Sequence, residues 1–255
     1  MRNFMAVVRR ELYVYFSSPI AYVVLTIFLL LCGYFFYSAF AYFSIVSMQT
    51  MRMPYAAGIN VNEMVLEPLF SNMSVIMLLV MPLLTMRLFA EEKRSGTLEL
   101  ILSYPVREIE LLLGKFAACL LVFCLMLALT GLYPLLILIY AKPDIGPIIT
   151  AYLGLFLLGS AFIALGIMVS STTENQIIAA AISFGALLMF WLIGWGQSFA
   201  GSGLGKILVH LSLLEHFDRF TKGLIDTRDI VYYISFSLFF LFLTLRSLES
   251  KRWRG

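Results

Sequence analysis

Six stretches of the chain carry no charge, show no polar alternation and are about as long as a membrane is thick. They cover residues 20–42, 70–86, 116–140, 148–170, 177–197 and 230–245. A helix of about 20 apolar residues crosses a hydrocarbon core of about 30 Å, whereas a barrel strand takes about ten residues of alternating polarity. These runs are apolar all round, so they predict helices, which satisfy their own backbone groups in lipid. Borrowing flanking residues for the two shortest gives spans at 20–42, 70–89, 116–140, 148–170, 177–197 and 229–246. The pattern predicts a single transmembrane domain over 1–255, all-α and integral to a membrane.

Ahead of the first span, Phe4, Val8, Leu12 and Tyr15 recur at helical spacing while Arg9, Arg10 and Glu11 supply charge, and Ser17-Ser18-Pro19 punctuates the end. This predicts an amphipathic interfacial helix over 1–18. An ordinary positive flank that only sets topology is the plainer reading. A secretory signal peptide is the competing one for the first span, but its apolar core is normally about 7–15 residues, shorter than this run.

Composition agrees with the pattern: 61% of the 255 residues are apolar and 13% charged, against about 25% charged in soluble domains. A soluble enzyme is excluded, and so are disorder and a disulfide scaffold, since the chain is apolar and holds three cysteines. The net charge of +3 is too small to indicate a nucleic-acid partner. Where the basic residues fall matters more. With six spans both termini share a side, and that side holds twelve of the 18 lysines and arginines. The excess places both termini in the cytoplasm.

Ten of the charges crowd into the loop at 87–115, five of each sign. A topology signal needs only the basic ones. Ser95-Gly96-Thr97 breaks one helix and offers a cap for the next, Glu99 falls in the new helix's first turn, where its charge suits the dipole, and Tyr104-Pro105 ends it. The result is a very short helix at 98–103, which cannot be stable alone and must dock on something.

At these residues the chain resembles a known family. The run Glu91-Glu92-Lys93-Arg94-Ser95-Gly96-Thr97-Leu98-Glu99-Leu100-Ile101-Leu102-Ser103-Tyr104-Pro105-Val106, followed by Leu113-Gly114-Lys115-Phe116, resembles the loop of type 2 ABC-transporter permeases. That resemblance implies an N-terminal elbow helix, six spans and a cytoplasmic coupling helix between spans two and three that seats on an ATP-binding subunit. It also implies a second permease, a copy of this chain or a paralogue. On it, Glu91, Glu92, Arg94, Gly96, Thr97, Leu98, Glu99 and Leu102 are the expected interface with the ATPase subunit, and Arg9, Arg10 and Glu11 belong to the elbow helix. A second stretch, from His216 to Tyr233, resembles the subgroup containing gliding-motility permeases and the permease of nitrous-oxide-reductase maturation. It marks His216, Gly223, Asp226 and Asp229 in and just after the outer segment at 198–228.

The chain lacks ATP chemistry of its own. Its nearest approach to a phosphate-binding loop, residues 200–207, has Ala200 and Ile207 where a glycine and a hydroxyl are required. No cofactor is expected here: ATP and magnesium fall to the partner subunit, and the remaining partner is membrane lipid. A membrane metalloprotease is disfavoured, because His210 and His216 are six apart and off a shared helix face. No charge lies deep in a span, which argues against an ion-coupled carrier.

Three features stay open. Leu204, Ile207, Leu208 and Leu211 fit either an amphipathic helix on the outer leaflet or the re-entrant helices the resemblance implies. The outer loop at 43–69 is either a lid or a connection. Small residues at Ser160 and Ala164, and at Ala181 and Gly185, fit packing within the chain better than a dimer face. The expected function is the permease subunit of an ATP-driven exporter of unassigned cargo, with a mechanotransmitter or scaffold that moves nothing as the alternative.

Overall fold

A computed structural model describes residues 2–50, 60–103, 107–141, 143–194 and 210–252. All regular structure among them is helical. Helix α1 (Arg2–Ser17) is followed after one residue by α2 (Pro19–Thr50). Pro19 suits a first helical position, where no amide partner is needed. A π turn (Asn62–Leu66) leads into α3 (Glu67–Thr85), then α4 (Arg87–Arg94) and α5 (Thr97–Ser103). Next come α6 (Glu108–Thr130), α7 (Leu132–Tyr140), α8 (Ile145–Thr172) and α9 (Gln176–Leu192). Helices α10 (Leu213–Thr221) and α11 (Thr227–Arg252) close the described chain.

Five segments among the described residues are long and apolar enough to span: Pro19–Gln49, Asn62–Arg94, Glu108–Tyr140, Ile145–Thr172 and Thr227–Ser250. The sixth apolar run is helical over the 17 residues Gln176–Leu192, and its last residues, 195–197, lie outside the described ones. So do residues 200–207, Tyr104-Pro105, the Leu102 side chain and the first part of the outer segment, 198–209. Several boundaries differ from the sequence reading, and two of them show why. The first long helix continues through Thr50, eight residues past Tyr42, because serines and glutamine near its end do not stop a helix. The third begins at Glu108 rather than at 116, because a charged residue ends an uncharged run without ending a helix.

Helix α8 is the hub. It packs against α3, α4, α6, α9, α10 and α11, and two glycines set how closely its neighbours approach. A Cβ at Gly159 would lie 2.2 Å from Phe123 Cε1, and one at Gly166 would lie 2.1 Å from Thr85 Oγ1, so α6 and α3 pass nearly against the α8 backbone. The small pairs separate accordingly. Ala164 is buried and Ser160 half-buried, whereas Ala181 and Gly185 lie exposed on α9.

Pro82 removes an amide from α3, and the helix turns at Met86. Ser170 of α8 inserts there. Its hydroxyl donates to the Met86 carbonyl at 2.8 Å and accepts from the Phe89 and Ala90 amides at 3.1 Å each. A side chain entering the helical ladder is a recognised cause of such a break, and here it also fixes α4 to the hub. Lys93 Nζ donates to the Ser171 carbonyl a turn further on.

Candidate functional site

Helices α1, α4 and α6 meet at one end of the bundle around a buried lysine. Gly114 lets α1 close on α6, since a Cβ there would come within 2.6 Å of Val7 Cγ1. The next residue, Lys115, has a side chain only 1% exposed. Its ammonium lies 2.9 Å from Glu11 Oε1 of α1 and 2.9 Å from Glu92 Oε1 of α4, and donates to the Leu88 carbonyl at 2.7 Å. Arg10 Nη2 donates to the same Glu92 oxygen at 3.0 Å. A buried ammonium has three donors to satisfy, and two carboxylates and a carbonyl satisfy them.

A second cation, Arg87, is buried with its guanidinium carbon 4.5 Å from the centre of the Tyr15 ring. Tyr15 donates its hydroxyl to the Leu84 carbonyl at 2.8 Å. Burial pushes that phenol well above its ordinary range, so it remains a neutral donor. A cavity of about 210 Å³ opens beside these groups. Arg87 Nη2 and Glu92 Oε2, both buried, have no protein hydrogen-bond partner.

The corner between α4 and α5 stands above this knot. Gly96 has φ +68°, a conformation that favours glycine and commonly ends helices. Ser95 Oγ donates to the Glu91 carbonyl at 2.9 Å and lies 2.8 Å from Thr97 Oγ1, while Thr97 reaches the Glu92 carbonyl at 3.3 Å. The two hydroxyls thus hold the corner between them. Of the expected interface residues, Glu91, Arg94, Gly96 and Glu99 are exposed and Thr97 is half-buried. Leu98 and Glu92 face inward, at 4% and 7% exposure. In α1, Arg9 is exposed, Arg10 bridges to Glu92, and Glu11 is buried.

The other marked residues lie at the far end. His216 Nδ1 is 2.5 Å from Asp229 Oδ1, its ring stacks on Tyr232 with centroids 4.1 Å apart, and its Nε2 meets the His210 carbonyl at 3.1 Å. Arg219 Nη1 lies 3.3 Å from Asp226 and 3.7 Å from Asp229. Asp226 Oδ1 also accepts from the Arg228 amide at 3.0 Å at the start of α11. Gly223, at φ +82°, stands apart from these and packs on Pro147. The structure therefore brings His216, Asp226 and Asp229 together through Arg219. It brings Arg10, Glu11 and Glu92 together through Lys115.

Lys115, Arg87 and Ser170 are the residues the sequence reading missed. A lone lysine beside a glycine within a long apolar segment was the available signal for Lys115. Nothing local marks Ser170. Among the described residues no group of three or more His, Cys, Asp or Glu side chains is placed to hold a metal ion. The arrangement offers neither a nucleophile with its base nor a phosphate cradle. It is a set of charged struts joining helices.

With five helices among the described residues long and apolar enough to span, the bundle is that of a multi-pass membrane protein. The chain belongs to the family described as ABC-2 family transporter protein, which matches residues 5–243. This is a family of ABC-transporter membrane proteins, distinct from the ATPase and typically working with an ATP-binding subunit. Among curated proteins no relative matches the chain.

Proposed function

We propose that the chain is the permease subunit of an ATP-driven exporter, with six spans and both termini in the cytoplasm of a bacterial inner membrane. It pairs with a second copy or a paralogue and with separate ATP-binding subunits. In this reading α1 is the elbow helix and α5 the coupling helix, and the exposed side chains of Glu91, Arg94 and Glu99 meet the ATPase. Glu92 and Leu98 act from inside, holding the corner in place. The stretch from His216 to Tyr233 supports placing the chain in the subgroup of gliding-motility and nitrous-oxide-reductase-maturation permeases, which it resembles.

One observation carries the proposal: the Lys115 knot ties α4, next to the exposed corner, to both α1 and α6. A seven-residue helix such as α5 is too short to be stable by itself. Attached at this corner, it can pass a displacement to three helices at once. ATP-driven closure of the partner subunits then shifts α4, and the shift tilts α6 and α1 instead of being absorbed in a loose loop.

Co-purification tests the reading. The chain extracted in mild detergent is expected to bring down an ATPase, and Glu91→Arg with Glu99→Arg, both at exposed positions, is expected to release it while leaving the chain folded. An extracted chain with no ATPase, or an ATPase retained unchanged by both substitutions, overturns the interface assignment.

A further inference from the structure

Three carbonyls in the segment that enters α10 are each met by a side chain. Tyr232 donates its hydroxyl to the Leu211 carbonyl at 2.7 Å, Tyr233 donates to the Leu213 carbonyl at 2.6 Å, and His216 Nε2 meets the His210 carbonyl at 3.1 Å. The two tyrosines belong to α11, and His216 is tied to that helix by the contact of its Nδ1 with Asp229 Oδ1 at 2.5 Å. The other end of α10 is pinned separately. Thr150 of α8 donates to the Phe220 carbonyl at 2.8 Å, and a Cβ at Gly154 would lie 2.7 Å from Phe220 Cβ, so the two helices touch there. The start of α10 therefore hangs on α11 and its end on α8.

The His216 ring faces an acceptor on each side. A carbonyl and a carboxylate carry no hydrogen, while a neutral imidazole has one N–H and one bare nitrogen. Both contacts are hydrogen bonds only when His216 and Asp229 together hold one proton more than a neutral imidazole and a carboxylate do. Their side chains are 11% and 0% exposed, so water gives little substitute for a lost contact. Asp229 Oδ2 is buried without a partner, which leaves Oδ1, 3.7 Å from Arg219 Nη1, to answer the charge of the carboxylate. Without the extra proton, an N–H kept toward that carboxylate leaves Nε2 with a lone pair against the His210 carbonyl.

The neighbours of the ring are few. From α11 it meets, besides Asp229, Tyr232 stacked at 4.1 Å and Tyr233 edge-on at 6.3 Å. On α10 itself, Glu215 precedes it and Arg219 lies one turn on. Helix α9 carries no charge, and Glu67 of α3 and Asp144 before α8 line the cavity around Lys222 instead.

We infer that His216 is a proton-dependent clasp. Protonated, it holds the start of α10 on α11; neutral, it releases the His210 carbonyl and loosens that start while α8 keeps the end. The closed clasp binds one proton more than the open one, so rising pH favours the open form. The clasp does not rest on the permease reading, and its test uses the chain without an ATPase, so either can fail alone.

Hydrogen exchange and nitrogen NMR of the imidazole, on the full chain in lipid nanodiscs from about pH 5 to about pH 10, test it; the range extends past the interval in which imidazole ordinarily changes charge. His210→Gln keeps the carbonyl at that position and leaves His216 as the sole histidine, so the ring signals belong to it. Both ring nitrogens are expected to be protonated at the acid end and one at the alkaline end. Over the same interval, protection at the start of α10, corrected for the intrinsic exchange rate and referred to α8, is expected to fall about tenfold, the loss of one charge-assisted hydrogen bond. His216→Gln is expected to show the lower protection at every pH. Three results each overturn the assignment: a neutral ring while the start of α10 keeps its full protection, protection that does not change across the range, or the same pH dependence in His216→Gln.

Discussion

The two ends of the bundle both gather charge, and they treat it differently. At the Lys115 end, the Lys115, Glu11 and Glu92 side chains are 1%, 7% and 9% exposed, and the ammonium is fully engaged. At the α10–α11 end, Lys222 and Asp218 form a pair in which both side chains are about half exposed, while Asp229 alone among the acids there is fully buried. Removing several ions from water costs several kcal/mol per ion and is recovered only by good geometry. A bundle that needed stability alone would fill the Lys115 site with leucines. A buried charge cluster instead fixes one arrangement of three helices and penalises every other, which suits the proposal that this junction moves as a unit.

The contrast is broken most directly at Lys115. Lys115→Met leaves Glu11 and Glu92 buried without their shared cation and is expected to destabilise the chain by about 3–5 kcal/mol, read as an earlier transition in an SDS-unfolding titration. Replacing all three residues by methionine removes the stranded charges, so stability is expected to return most of the way while ATP-dependent function stays lost. A triple variant as unstable as the single one would show that the knot's charges are not what fixes the junction.

A smaller effect is expected at Asp229, the buried acid of the other end. Asp229→Asn keeps the shape but weakens the contacts with His216 at 2.5 Å and Arg219 at 3.7 Å. The expected cost is about 1–3 kcal/mol, measured in the same titration. A loss as large as that of Lys115→Met would erase the difference between the two ends.

The residues that were legible in the sequence and those that were not differ in how far apart their partners lie along the chain. The apolar runs announced the spanning helices, and Ser95-Gly96-Thr97 announced the corner whose glycine takes a positive φ, because caps and breaks depend on neighbours. The knot depends on Lys115 meeting Glu11, 104 positions away, and no local pattern encodes that pairing. Searching for uncharged runs even worked against it. The rule that started a span at 116 set aside the lysine one residue before, which lies well inside α6. Ser170 was hidden for a related reason: it serves a helix break made by Pro82, on another helix. His216 and Asp229 were marked together by resemblance, yet Arg219, which joins Asp226 to them, was not.

The smallest effect is expected where charge is most exposed. Asp218 holds Lys222 first by a hydrogen bond and then by its charge, and together they raise the lysine above its ordinary 10.5. A raised value means that the folded chain holds the proton more tightly than the unfolded one. The pair's contribution is therefore fully present below 10.5 and is lost as pH climbs through the folded-state value. With both side chains half in water, solvent and side-chain entropy reduce that contribution to at most about 0.5 kcal/mol. Lys222→Ala is expected to shift the unfolding transition barely at low salt and not at all at about 1 M salt, where screening acts within about 3 Å. A salt-resistant loss above about 1 kcal/mol would mean that Lys222 is held like Lys115 rather than like a surface pair.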